Sequence, residues 1–356
     1  MAVMPKPAPV KAPEIALVMI VRDEARCIGR CLESVRPHVD RMVVLDTGST
    51  DGTPMLAANM GAEVHHMVWP DDFSAARNHA LDLADADWNL VLDADEWIVS
   101  GGRDLRRWCE GPARMGKLCV QSAVEVEQGI KGASRRNWIT RLLPRGVRYE
   151  GLIHEQAISA LPRERIALHV GHDGYLEDQL ARKRGRNGPL LLAELRERPD
   201  DPYLLYQLGK DCEMNADLRA ASGYYAAALA GTAPNRNWRH GLVIRQMRSL
   251  GKIGQLDSAL ALADAELPHW QQSPDFFFVL GNLLLDQAVA DPAQAVQDWL
   301  PLAAGAWEHC LAIGERPDLE GSMPGCGSHL AEHNLTAVRT QLALHSARRE
   351  LVQLSN

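Results

Sequence analysis

The sequence predicts two architectures in series: an α/β domain built on a mainly parallel sheet, then an all-α domain of repeated helix pairs. Three observations carry that expectation. Short apolar runs alternate with amphipathic stretches through the first half. Strand-like runs vanish after about residue 176, and an Ala- and Leu-rich helical periodicity then continues to the end. At 356 residues the chain is long enough for two separate cores. The expected divisions are a leader over residues 1–14, the α/β domain over 15–185 and the helical domain over 186–356.

The first element is Ile15–Val21, an unbroken apolar run closed by Arg22. It is too short for a membrane span or a signal sequence and reads as a buried strand. Glu24–Val35 follows as a helix pattern, with Ile28, Cys31, Leu32 and Val35 on one face. Strands are then expected at Arg41–Leu45, Glu63–Val68 and Trp88–Leu92, and helices at Thr53–Met60 and Ser74–Ala84. In open sheets of this kind ligands sit beyond the carboxyl ends of the strands. The acidic residues fall at those ends: Asp23 and Glu24, Asp46 to Asp51, and Asp93 with Asp95.

In the second half, Asp201–Pro234 sets Leu205, Leu208, Gly209, Cys212, Ala221, Tyr225 and Ala228 at the spacings of a tetratricopeptide repeat. A weaker copy runs through Gly254, Ala259 and Ala263, and another opens at Phe277, Leu280 and Gly281. Such helix pairs stack on their neighbours and build an extended binding surface. A plain helical bundle is the alternative for the later copies.

Bulk composition excludes several classes. With 46% hydrophobic and 24% charged residues the chain is an ordinary globular one. A net charge of −8 argues against nucleic acid as a partner and against broad attachment to anionic membrane. One local basic run, Arg182 to Arg186, departs from that balance. The seven cysteines form no C-x-x-C pair, which points to reduced thiols in a cytoplasmic protein. The first fourteen residues, rich in Pro and Ala, read as a disordered leader, and no run is long enough to be a transmembrane segment.

Four stretches carry chemistry. Val91-Leu92-Asp93-Ala94-Asp95 is an apolar strand ending in Asp-x-Asp, and strand alternation would put both carboxylates on one face. Two hard oxygen ligands side by side suit Mg²⁺ or Mn²⁺. The loop from Asp46 to Thr53 is acidic and lacks the glycine pattern of a phosphate cradle, so its carboxylates suit N–H and hydroxyl donors; helix capping is the plainer reading. Arg77 is a candidate cation and Asn78 a polar group on the same helix turn, unless both simply face solvent. Tyr149 to Gln156 gathers Glu150, His154 and Glu155, with no second His at the spacing of a zinc protease.

Taken in order, "MIVRDEARCIGRCLESV", "VVLDTGSTDGT", "DDFSAARNHAL" and "WNLVLDADEW" resemble glycosyltransferase family 2, of the GT-A fold. The later stretches "RLLPRGVRYEGLIHEQ", "HVGHDGYLEDQLARKRGRNGPLLLAEL" and "DPYLLYQLG" are similar to bacterial members with tetratricopeptide tails, a group that includes bacteriocin-peptide glycosyltransferases. The resemblance implies that Asp46 contacts a nucleotide base, Asp51 its ribose side, and Arg77 the nucleotide-sugar. It implies that Asp93 and Asp95 hold Mn²⁺ or Mg²⁺ and the diphosphate, with His172 as a late third metal ligand. Arg186, in the basic run, would neutralise the leaving diphosphate. Inverting transfer by direct displacement also needs a base for the acceptor's proton, and Glu155 is the favoured candidate, with His154 positioning it.

The expected activity is therefore metal-dependent, inverting transfer of a sugar from a nucleoside diphosphate donor, UDP-linked, to a peptide or protein side chain. A lipopolysaccharide or other cell-surface saccharide is the competing acceptor. A non-catalytic helical-repeat adaptor with a degenerate transferase domain is the non-enzymatic alternative. The helical domain is expected either to engage the acceptor or to mediate homo-oligomerisation.

Overall fold

In the computed structural model, residues 12–127, 130–173, 185 and 187–354 are described, with side chains outside 123–135 and 348–354. Most of the leader, and Arg186 with the rest of its basic run, lie outside the described residues. The chain divides into two compact units, one of Met1–Ala123 with Asn137–Leu176, the other of Val124–Arg136 with Glu177–Asn356.

The first unit is built on a mixed sheet. Its strands are β1 (Ile15–Val21), β2 (Arg41–Asp46), β3 (Glu63–His66), β4 (Trp88–Val91), β5 (Glu96–Ser100), β6 (Met115–Glu127), β7 (Ile130–Pro144) and β10 (Arg163–His172). They lie in the order β3-β2-β1-β4-β7-β6-β10-β5, and β8 (Arg148–Glu150) pairs separately with β9 (Gln156–Ile158). β1 is flanked in parallel by β2 and β4, and β6 runs parallel to β10. β7 meets β4 and β5 meets β10 in antiparallel fashion. The helices of this unit are α1 (Ile28–Val35), α2 (Thr53–Asn59), α3 (Phe73–Ala84) and the short α4 (Leu105–Cys109).

Period-two burial explains the layers. Ile15, Leu17 and Met19 pack on one face of the sheet with Ile28, Cys31 and Leu32 of α1. Ala16 and Val18 face the other way, against Ala80, Leu81 and Ala84 of α3. Both faces are covered, which is why these strands read as continuous apolar runs.

α1 begins at Ile28, four residues later than the sequence pattern suggests. Asp23 takes φ of +54°, and the amides of Asp23, Glu24 and Ala25 donate across to Ser49 Oγ, Thr53 Oγ1 and Asp51 Oδ2. A left-handed residue cannot continue a right-handed helix, and those amides serve the neighbouring loop instead.

The second unit contains α5 (Asn187–Glu197), α6 (Pro202–Met214), α7 (Leu218–Gly231), α8 (Arg239–Lys252), α9 (Leu256–Trp270), α10 (Pro274–Ala290), α11 (Leu300–Ile313) and α12 (His329–Leu354). α6 opens on Asp201, whose carboxylate accepts from the amides of Tyr203 and Leu204. Glycines let paired helices approach. A Cβ at Gly209 of α6 would sit 2.3 Å from the Tyr225 ring of α7, and one at Gly281 of α10 would sit 2.6 Å from the Trp307 indole of α11. The repeat-like spacing around Gly209 thus corresponds to a helix pair, and the weaker later copies also fall on paired helices. Among the described residues no helix is long and apolar enough to cross a membrane, and all seven cysteines are free.

Asp275, at the start of α10, is 3% exposed, and burial pushes its carboxyl up to about 6. The folded state therefore holds this proton more tightly than the unfolded chain, where the group titrates near about 3.9. The stability it contributes is fully present below the unfolded value and is lost as pH rises through about 6. Asp275→Asn is expected to raise the melting temperature at pH 7.5, by about 2–4 °C per kcal/mol recovered, and to leave it nearly unchanged at pH 4.5. Calorimetry at both pH values checks the difference.

Candidate active site

The candidate site lies where β1, β2 and β4 end. Asp46, the last residue of β2, is 3% exposed. Its carboxylate accepts from the amides of Gly48 and Ser49, and His66 Nδ1 stands 3.5 Å away. Beside it opens a cleft of about 530 Å³ lined by residues including Arg22, Asp46, His66, Val68 and Trp69. Asp51 is turned to local duty: it accepts from Thr53 N at 2.9 Å and from Ala25 N at 3.1 Å, joining the loop after β1 to the start of α2. Asp23 completes the stitching by accepting from Thr50 N at 2.6 Å.

The Asp-x-Asp pair is not arranged as strand alternation would have it. β4 ends at Val91, and residues 93–96 form a tight turn in which Glu96 N donates to Asp93 O and Asp93 N to Glu96 Oε2. The turn points the two carboxylates at different partners. Asp93 accepts from Arg77 Nη2 at 2.8 Å and from Arg141 Nη2 at 2.6 Å, while Asp95 Oδ2 lies 3.4 Å from His172 Nε2. The pair therefore lies in a turn beyond β4, not on the strand whose alternation the sequence argument used.

Arg77 is buried, not solvent-facing, because α3 presses that face onto the sheet. Its Nε donates to Glu155 Oε1, so one guanidinium joins Glu155 to Asp93. Asn78, the next residue, exchanges two hydrogen bonds with the Tyr149 backbone at 2.9 and 2.8 Å, pinning β8 to α3. The Tyr149 ring lies 5.6 Å from the Arg77 guanidinium. His154 precedes Glu155 with φ of +53°, and the partner holding the Glu155 carboxylate is Arg77.

Arg141 and Glu96 complete this chain and were missed by sequence reasoning. Leu142 of β7 pairs with Leu90, which places Arg141 beside the end of β4. The signal was a lone arginine between the apolar residues Ile139 and Leu142 of a strand. Arg141 Nη2 also reaches Glu96 Oε1 at 3.2 Å. Burial raises the proton affinity of Asp93, but the two guanidiniums outweigh it and hold the carboxyl well below its usual range. For Glu96 burial wins, reinforced by the charge on Asp93, and its pKa rises despite Arg141. Arg77 Nη1 and the Tyr149 hydroxyl have no hydrogen-bond partner among the described residues, so bonding capacity remains in this network.

His172, the last residue of β10, has its other ring nitrogen 3.0 Å from Ser122 Oγ, a neighbour on β6. With Ser122 accepting from Nδ1–H, the Nε2 lone pair is presented beside Asp95. No group of three or more His, Cys, Asp or Glu side chains among the described residues is arranged to hold a metal by itself. Asp95 and His172 offer one oxygen and one nitrogen ligand, a set that suits an ion whose remaining positions go to water and substrate phosphates.

Residues 16–101 match glycosyl transferase family 2. A TPR repeat-containing protein of Synechococcus elongatus is 35% identical over 283 residues, covering 75% of this chain and 68% of that one. The chain belongs to glycosyltransferase family 2. It is therefore a glycosyltransferase, with the expected mostly parallel sheet followed by a helical unit. The glycosyltransferase SunS of Bacillus subtilis is 29% identical over 64% of this chain, which spans 56% of SunS. Glucosyl-3-phosphoglycerate synthase of Mycobacterium tuberculosis, solved with Mn²⁺, UDP and product, is 25% identical over 30% of this chain and 44% of that one, with a TM-score of 0.26.

If Arg141 is the counter-charge that lets Glu96 be buried beside Asp93, removing it leaves Glu96 without a cation and Asp93 with Arg77 alone. Arg141→Met is expected to cost roughly 3–5 kcal/mol of stability in urea denaturation. Arg141→Lys, which keeps the charge, should cost clearly less.

Proposed function

We propose that this family 2 chain is an inverting, divalent-metal-dependent transferase that moves a sugar from a UDP-linked donor to a peptide or protein side chain. One observation carries the reading. Arg77 joins Glu155 to Asp93, two residues from the Asp95–His172 pair, at the strand ends that also carry the Asp46 cleft. A base-binding cleft, a cation site and a carboxylate for the acceptor are the three parts such a transfer needs.

In this reading Asp46 and Trp69 line the pocket for the pyrimidine base, while Asp51 shapes the ribose side of it through the loop it ties. Asp95 and His172 would hold Mn²⁺ or Mg²⁺; when bound, the ion neutralises charge developing on the departing diphosphate. Asp93, held by two guanidiniums, fixes Arg77 in place, and its exposed edge would share in holding the ion and diphosphate. Arg77 in turn orients Glu155, which takes the proton from the acceptor as it attacks the anomeric carbon opposite the leaving group. His154, the preceding residue, would help to position Glu155. Catalysis is then positioning plus preorganised charge. The repeat-like helical unit supports a peptide acceptor, because stacked helix pairs form extended binding surfaces.

Glu155→Gln keeps an acceptor oxygen for Arg77 but cannot take a proton. Transfer should fall by roughly 10²–10⁴, with UDP affinity in Mn²⁺ within about threefold of wild type. Single-turnover transfer beside a UDP titration on the same variant checks this. A joint fall in both would move Glu155 into the donor site.

A further inference from the structure

β10 ends in Gly171-His172 and Asp173 follows directly, and the residues on either side of His172 are held by one connected group, Trp97, Arg30 and Arg26. Gly171 pairs with Trp97 of β5, and a Cβ at Gly171 would meet the Trp97 ring at 2.4 Å, so the indole fills the space over this glycine. The Arg30 guanidinium stacks on that indole, 3.6 Å from its centroid. From there Arg30 Nη2 donates to Asp173 Oδ2 at 2.5 Å. Arg26 adds a bidentate pair, with both nitrogens 3.1 Å from the two Asp173 oxygens. The Asp173 side chain is only 13% exposed under the two guanidiniums, and its own amide donates to the carbonyl of Asp95 at 3.4 Å.

Strand alternation turns that anchoring to use. Holding residues 171 and 173 on one side obliges the His172 side chain to leave from the other. There Ser122 and Asp95 receive its two ring nitrogens. The backbone bond from Asp173 to Asp95 ties the Asp93–Glu96 turn to the same strand end.

We propose that Asp173, clamped by Arg26 and Arg30, is a positioning residue that sets His172 Nε2 over Asp95 and so determines how tightly the pair binds a divalent ion. The inference rests on the reading of Asp95 and His172 as the ion's ligands. Asp173 touches neither ion nor substrate and acts only through the strand end. Outer residues that orient a ligand in this way commonly change metal affinity by about 10–100-fold when removed.

The test is a double-mutant cycle read as Mn²⁺ affinity, by electron paramagnetic resonance of free Mn²⁺ at saturating UDP. Asp173→Ala should weaken Mn²⁺ binding about 10-fold or more, His172→Ala at least as much, and the double variant less than threefold beyond His172→Ala alone. Asp173→Asn keeps the shape and should fall between wild type and Asp173→Ala, so it carries the test if the alanine variant fails to fold. The proposal is overturned if both Asp173 variants bind Mn²⁺ as wild type does, or if the Asp173→Ala loss persists in full in the His172→Ala background. Unchanged Mn²⁺ binding in His172→Ala is a different result. It removes the ligand assignment itself, and the positioning role with it.

Discussion

The carboxylate of Asp93, shared between Arg77 and Arg141, is the constraint on which the rest of the site depends. Each arginine comes from an element otherwise devoted to the core. Ala76 and Ala80 flank Arg77 on α3, and Leu142 and Leu143 follow Arg141 on β7. Two buried guanidiniums cannot be brought together without a counter-charge, because desolvation and mutual repulsion both oppose it. Asp93 supplies that charge, with Glu155 on one flank and Glu96 on the other. One tight turn thereby sets the mutual register of α3, β4, β7 and the segment after β8.

Neighbouring acids consequently receive different tasks from their surroundings. Asp93 is locked by two cations, whereas Asp95, two residues on, faces an imidazole whose orientation Ser122 sets. The same division recurs in the loops after β1 and β2. Asp23 and Asp51 hold the loops to each other, and Asp46 lies at the cleft itself. Carboxylates committed to hydrogen bonds give this region rigidity.

Local rules made most of the fold legible. The strand at Ile15–Val21 falls where an unbroken apolar run sits between turn signals, since a strand covered on both faces is built mainly of apolar residues, and Trp88–Val91 follows the same rule but for the buried Asn89. The Asp72 cap before α3 and the Gly209 contact in the helical unit follow from chemistry within one turn or one repeat. What stayed hidden depends on distant pairing. Arg141 becomes part of the site only because β7 runs antiparallel to β4, and Ser122 and Asp173 matter only because β6 and β10 end beside the Asp95 turn. The late start of α1 has the same origin: the amides ahead of it bond to a loop more than twenty residues away.

The central claim is that these strand ends form a site for a nucleoside diphosphate sugar and a divalent ion. A ligand that binds only the folded state raises its melting temperature by mass action, so no acceptor is needed to see it. The most direct measurement is a thermal-shift comparison across nucleotide sugars, each with Mn²⁺ and with chelator. A UDP-sugar should stabilise the protein in Mn²⁺, by about 2–3 kcal/mol at a hundredfold excess over its dissociation constant, and much less in chelator. Equal shifts with and without the ion, or no shift with any nucleotide sugar, would contradict the account.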